Sequence, residues 1–217
     1  MAKDAAAELS AIAKKTMSPD ELISVSLKLQ ECGEYRLALT LLSQLPPGKA
    51  VRSILYPLAH WHIVRDASGK YGIDPFIILS IMREESRFDA QARSRAGALG
   101  LMQLMPQTAH AIDKKVNLNI TSHEHILDVR ANINLGSYYM TSLLKEFGSL
   151  PHAVAAYNAG EDIVRKWLRA AQSGYKSPDE FIEDIPYEET KNYTKRVITT
   201  YFEYYKYTGG KSVPEIL

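Results

Sequence analysis

Apolar residues recur at helical spacing along almost the whole chain, and proline marks where one helix after another would begin. Leu22, Val25 and Leu29, then Leu37, Leu41 and Leu42, fall on single helix faces and suggest an αα-hairpin broken at Gly33. Ser18-Pro19 and Asp74-Pro75 each pair an N-cap residue with proline at the first helical position. The helix from Pro75 should run to about Ser86, and another should span Ile54 to Tyr71, interrupted near Tyr56-Pro57 and stopped around Gly72. Pro106 starts a further helix, Val129 to Phe147 is a clear one, and Pro151 to Asn158 and Asp162 to Ala171 flank Gly160. A last helix is expected from near Pro186 to Tyr207, closed by Gly209-Gly210. Strand signals are weak everywhere, so the expected fold class is all-α. Leu45-Pro46-Pro47-Gly48 punctuates the chain and divides an N-terminal helical hairpin, residues 1–50, from a larger domain, residues 51–217.

Composition narrows the partners more than the fold. At 217 residues and 46% hydrophobic, the chain can bury a sizeable core. Its 26 basic and 25 acidic residues leave a charge of +1, which gives no global field for gripping nucleic acid or an anionic membrane. A single cysteine, Cys32, excludes an internal disulfide and any Cys-rich zinc module. No apolar run approaches the ~20 residues needed to span a bilayer. The first residues carry Lys3, Asp4 and Glu8 where a signal peptide would have its apolar core, which fits either a cytoplasmic protein or part of a longer exported chain.

One carboxylate is placed unusually. The helix from Pro75 has the apolar stripe Ile77, Ile78, Ile81 and Met82, and at ~100° per residue Glu85 falls nearest its middle. Glu84 lies roughly a quarter-turn off the stripe and Arg83 on the opposite face. Burial at that position would raise the Glu85 pKa towards the range a general acid needs. On helix position alone, the ordinary reading of Glu85 is a helix-end residue that reaches solvent. Two downstream stretches bear on the choice. Ser94 to Pro106 combines glycines, which permit close backbone approach, with Gln103 and Met105, and Ala156-Tyr157-Asn158-Ala159-Gly160 puts Tyr and Asn where a helix ends.

Three motifs in order, Glu85-Ser86, Gly100-Leu101-Met102-Gln103 and Ala156-Tyr157-Asn158-Ala159-Gly160, resemble the soluble lytic transglycosylases with a goose-lysozyme-like catalytic domain. A fourth stretch, Ile185 to Tyr193, resembles the segment that marks their large subfamily, with Lys191 where an Arg usually follows the Glu-Thr pair. Lysine cannot make the forked contact of that Arg. The resemblance runs from near Tyr56-Pro57 almost to the C-terminus. It implies a lysozyme-like fold, Glu85 as the single catalytic acid/base, and Ser94, Gln103 and Met105 lining a glycan groove. It also implies Tyr157 and Asn158 facing the carboxylate, Glu189 on the far wall holding sugar, and a leading hairpin left from a helical superhelix.

The implied reaction is cleavage of the bond between N-acetylmuramic acid and N-acetylglucosamine without water. Protonated Glu85 would donate to the linking oxygen, the 2-acetamido group would stabilise C1, and Glu85 would then take the C6 hydroxyl proton to leave a 1,6-anhydro end. Substrate assistance of this kind fits a motif region with no obvious second carboxylate. The partners expected are peptidoglycan glycan strands, with no nucleic acid, no membrane span, no metal or organic cofactor, and a monomer in solution. Such a substrate places the enzyme in the periplasm or cell envelope. The rival readings are a hydrolytic lysozyme or endolysin on the same fold and a non-catalytic binding module. His123-Glu124-His125 lacks the helical two-His spacing of a zinc protease. The stripe Tyr193, Val197, Tyr201 and Tyr204 reads as core, with one or two tyrosines free to reach the cleft.

Overall fold

The computed structural model describes residues 17–43, 45–46, 48–171 and 177–207, as twelve helices with no sheet. The hairpin is α1 (Pro19–Glu31) and α2 (Tyr35–Leu42), followed by α3 (Lys49–Leu55) and α4 (Trp61–Tyr71). Then come α5 (Pro75–Ser86), α6 (Pro106–Val116), α7 (His123–Leu127), α8 (Val129–Phe147) and α9 (Leu150–Ala159). The remainder is α10 (Glu161–Ala170), α11 (Pro178–Asp184) and α12 (Glu188–Tyr207). The all-α expectation holds.

Capping chemistry sets the starts. Ser18 accepts the Glu21 amide while Glu21 reaches back to the Ser18 amide, a reciprocal pair that ties down the first turn of α1. Ser177-Pro178-Asp179-Glu180 repeats Ser18-Pro19-Asp20-Glu21 residue for residue, and Ser177 likewise accepts the Glu180 amide at 3.2 Å to start α11, a helix the spacing did not single out. Asp74 caps α5 through the Phe76 amide at 2.8 Å. The stretch from Ile54 to Tyr71 is two helices. Pro57 lacks an amide proton and follows Tyr56, and His60 adopts a left-handed conformation before α4 begins. The last helix starts at Glu188, two residues after Pro186, because the chain is still leaving α11 at Ile185. Gly209-Gly210 lies outside the described residues.

Helix α5 is the axis of the main core. Ile77, Ile78, Leu79, Ile81 and Met82 are all buried, so this helix is covered on nearly every side. Val197, Tyr201 and Tyr204 of α12 pack on it, with Ala153, Val154 and Ala156 of α9 and Ile133 and Met140 of α8 completing the cluster. Tyr201 also donates to Asp74 at 3.0 Å, fixing α12 to the start of α5. A second cluster gathers Leu99, Leu104, Ile112, Ile126 and Leu135 from the loop after α5 and from α6, α7 and α8. Tyr139 and Tyr157 pack against both clusters and therefore stand at the seam between them. Ala38 and Leu42 of α2 and Val51 and Ile54 of α3 form a small third cluster, and Leu55 packs against both this cluster and the main core.

Candidate active site

Glu85 sits in the last turn of α5, where the buried axis of the domain meets that seam. The residue is half-buried with its carboxyl turned inward, and loss of water is the main reason its pKa is pushed up to about 7. The negative charges of Glu84 and Glu189 push the same way, while the Tyr193 hydroxyl and the Arg196 guanidinium oppose them. Such a group is protonated in a large fraction of molecules at neutral pH and can both give and take a proton there.

The backbone facing it is held by side chains. Gly100 and Gln103 both have positive φ, at 78° and 48°, so the intervening loop turns back sharply. Ser86, next to Glu85, donates to the Leu101 carbonyl at 2.8 Å. Tyr157 of α9 donates to the Met102 carbonyl at 2.9 Å. Buried Asn132 of α8 accepts the Met102 amide at 2.8 Å and donates to the Leu99 carbonyl at 3.0 Å. Gln103 closes the loop on itself through the Gly100 carbonyl at 2.8 Å. Three helices therefore fix one loop, and glycines allow the approach. A Cβ on Gly136 would lie 2.3 Å from the Met102 sulfur.

Two tyrosines close the opposite side. Burial and the nearby Glu85 charge raise the phenols of Tyr157 and Tyr193 well above the usual value, so both remain proton donors. Tyr157 directs its hydroxyl to Met102 and acts on Glu85 through space. The buried Tyr193 hydroxyl is the donor beside the Glu85 carboxyl, short of full hydrogen-bond geometry. Glu84 points elsewhere. It accepts from Thr200 at 2.7 Å, pairs with Arg83, and meets the Arg196 Nε at 3.4 Å. Bound in this way, Glu84 is not available as a second catalytic carboxylate.

Residues 62–179 match the family described as Transglycosylase SLT domain. The chain belongs to this family. It is 35% identical over 157 residues to the soluble lytic murein transglycosylase of Escherichia coli K12, an alignment covering 71% of this chain and 24% of that protein. The 70 kDa soluble lytic transglycosylase from Escherichia coli superposes with a TM-score of 0.82 at 29% identity, over 91% of this chain and 32% of that one. An inactive mutant of lytic transglycosylase Slt from Pseudomonas aeruginosa gives 0.79 at 31% identity, over 92% and 32%. The chain thus spans about a quarter of the length of the relative and a third of the solved chains. The lysozyme-like helical fold expected for this SLT domain is the one observed.

Glu85, Tyr157 and Glu189 lie within electrostatic reach of one another or of a shared neighbour, and Gln103 belongs to the loop that faces them. Asn158 accepts from Thr190 at 2.7 Å and so ties the end of α9 to the first turn of α12, beside exposed Glu189. Ser94 accepts the Ala98 amide at 2.9 Å within its own turn, and Met105 stands 42% exposed at the cap of α6. Neither makes a hydrogen bond to Glu85. Lys191 donates to the Glu183 carbonyl, linking α11 to α12. Trp167 packs edge-on against Tyr187 at 5.2 Å. Sequence reasoning did not single out Asn132 or Arg196 and left Tyr193 among the core tyrosines. Tyr193 stands one helical turn beyond Glu189, a spacing that puts both on one face of α12.

Proposed function

We propose that this chain is a peptidoglycan lytic transglycosylase domain that cleaves the bond from N-acetylmuramic acid to N-acetylglucosamine without water. The observation that carries the reading is the Glu85 carboxyl, desolvated to a pKa of about 7 at the seam between two apolar clusters, with Glu84 tied to Arg83 and Arg196. One adaptable carboxylate suits a reaction in which the same group acts first as acid and then as base.

In the first step Glu85 donates its proton to the linking oxygen, and the C1–O bond breaks. The neighbouring 2-acetamido oxygen stabilises the positive charge at C1. In the second step the Glu85 carboxylate takes the C6 hydroxyl proton as that oxygen bonds to C1, leaving a 1,6-anhydro end. Tyr193 is placed to donate to the carboxylate between the two steps. Gln103, Ser94 and Met105 would line the glycan groove, Tyr157 and Asn158 would shape the wall opposite Glu85, and Glu189 would hold sugar across the cleft. All of these side chains come from one chain, so a monomer suffices. Residues 1–50 would be a helical hairpin attached to a catalytic domain of residues 51–217.

The substrate lies outside the cytoplasmic membrane, which places the activity in the periplasm or cell envelope. Among the described residues no helix is long and apolar enough to cross a membrane. Digestion of purified sacculi followed by mass analysis of the product ends tests the reading. Anhydro ends, one water lighter than reducing ends, are expected from the native protein and absent with Glu85→Gln. Reducing ends would instead identify a hydrolase, and turnover by Glu85→Gln would remove Glu85 from the chemistry.

A further inference from the structure

Asn132, Gly136 and Tyr139 fall on one face of α8, at spacings of four and three residues. Asn132 holds the Met102 amide, and Gly136 leaves room for the Met102 side chain. Tyr139 reaches the same loop through a neighbour. Its ring packs on that of Tyr157 at 5.2 Å, tilted by 43°, and Tyr157 donates to the Met102 carbonyl at 2.9 Å. One face of α8 therefore supports Met102 at three points, two directly and one by way of α9.

The far end of Tyr139 is held as well. Its hydroxyl donates to the Glu161 carboxylate at 2.8 Å. Glu161 is the first residue of α10, just past Gly160, whose φ of 91° and ψ of 144° break the chain between α9 and α10. Tyr139 thus grips both sides of that break, Tyr157 before it by ring contact and Glu161 after it by a hydrogen bond. An acid in the first turn of a helix is common, and Asp162 is an ordinary example, exposed and paired with Arg165 at 2.5 Å. Glu161 differs. Arg165, one turn further on, is taken up by Asp162 and by Glu146, each at 2.5 Å, and among the described residues Glu161 forms no ion pair. Its part-buried carboxylate turns to the phenol instead. Burial raises the pKa of that phenol and the Glu161 carboxylate raises it further, so the hydroxyl remains a donor through the neutral range.

We propose that Tyr139 and Glu161 are positioning residues for Glu85: the pair clamps the break at Gly160, holds Tyr157 on the Met102 carbonyl, and so keeps water from the Glu85 carboxyl. Both act through Tyr157 and Met102. The catalytic consequence rests on the transglycosylase reading, because a general acid that gains water loses the raised pKa its first step uses. Glu85 is faced by Glu84 on its own helix, by Tyr157 from α9, and by Tyr193, Glu189 and Arg196 from α12. Replacing Tyr139 or Glu161 leaves all of these in place.

Three variants test the clamp. Tyr139→Phe keeps the ring and removes the donor, Glu161→Ala removes the acceptor, and Glu161→Gln keeps an acceptor without the charge. Each is read in two ways. The Glu85 carboxyl is titrated by carbon-13 NMR, its signal assigned by its loss in Glu85→Gln, and kcat and KM are measured on purified glycan strands. Losing the hydrogen bond should lower kcat about tenfold and leave KM within about twofold of native. It should also lower the Glu85 midpoint by about half a pH unit or more, towards an ordinary carboxylate. Glu161→Gln should stay nearer native on both counts. Tyr139→Phe combined with Glu161→Ala should do no more than either alone, because both remove one interaction. An unmoved Glu85 midpoint in Tyr139→Phe, additive effects in the double variant, or Glu161→Gln matching Glu161→Ala would each overturn the proposal. If the native protein releases no anhydro ends and the midpoint moves, the clamp stands and the transglycosylase reading falls. If anhydro ends form and the midpoint is unmoved, the reverse holds.

Discussion

Asn132 and Met102 are joined at 2.8 Å, the Met102 amide donating to the Asn132 side-chain oxygen, while the same side chain donates to the Leu99 and Ile126 carbonyls at 3.0 and 2.9 Å. Every bond of this buried amide is therefore used to hold the loop that faces Glu85. Asn132→Ala would leave the Met102 amide and the Ile126 carbonyl without the partner they have here, each costing about 1–3 kcal/mol when buried. The Leu99 carbonyl would keep only the Leu104 amide. Asn132→Asp keeps the acceptor for Met102 but sets an oxygen against two carbonyls, so it should be at least as damaging. Lower urea midpoints for both variants, together with reduced turnover where the protein is still folded, are expected. An unchanged midpoint for Asn132→Asp would refute this account of the loop.

Gly136 of α8 and Met102 approach so closely that a Cβ on the glycine would meet the Met102 sulfur at 2.3 Å and its methyl at 2.8 Å. Gly136→Ala should therefore destabilise by about 1–3 kcal/mol through overpacking, against any gain in helix propensity. Shortening the opposing side chain ought to relieve it. The double variant Gly136→Ala with Met102→Ala is expected to be less unstable than the two single effects added, measured as a double-mutant cycle in urea.

Such loop contacts mark the limit of what was legible in the sequence. Proline and cap signals located α1 and α5, and the stripe of Ile77, Ile78, Ile81 and Met82 pointed to Glu85, because helix periodicity is a local property. The ordered downstream motifs then separated the catalytic reading from that of a helix-end residue. The short helix α11 was missed although its Ser-Pro-Asp-Glu start repeats that of α1, since seven residues are too few to show a period. Asn132, Tyr193 and Arg196 are brought to the site by helix packing over long sequence separations, and a buried asparagine in an amphipathic helix looks the same before folding whether or not it holds a loop. Glu84 shows the same limit. Its position a quarter-turn off the stripe gave no partner for it, and packing of α12 encloses it with Arg83, Arg196 and Thr200.

Glu85 should carry a pH-dependent stability cost. Its pKa in the folded protein is about 7 against a reference of 4.5, so between these values the folded state binds the proton that the unfolded state releases. Stability contributed by this group is therefore highest below pH 4.5 and falls as pH rises to 7, by on the order of 3 kcal/mol from 1.36 kcal/mol per unit. Glu85→Gln removes the ionisation. Its melting temperature should exceed that of the native protein at pH 8, and the difference should close as pH is lowered towards 4.5. A difference that does not vary with pH would contradict the raised pKa.

The alkaline limb of the activity profile reads the same proton, because a general acid loses its function as it ionises. Tyr193 favours the charged form of Glu85 and Glu189 opposes it, so replacing each should move that limb in opposite directions. Tyr193→Phe removes a donor to the carboxylate, which raises the Glu85 pKa further and shifts the limb to higher pH, with a lower kcat because the ionised state between the two steps is less well held. Glu189→Gln removes a negative charge, which lowers the Glu85 pKa and shifts the limb to lower pH, and its KM should rise if that carboxylate also holds sugar. Neither residue has a shape role that would produce opposite shifts. Measured kcat/KM from pH 5 to 9 on one glycan substrate decides the matter, and limbs moving the same way in both variants would show that Glu85 is not the group being titrated.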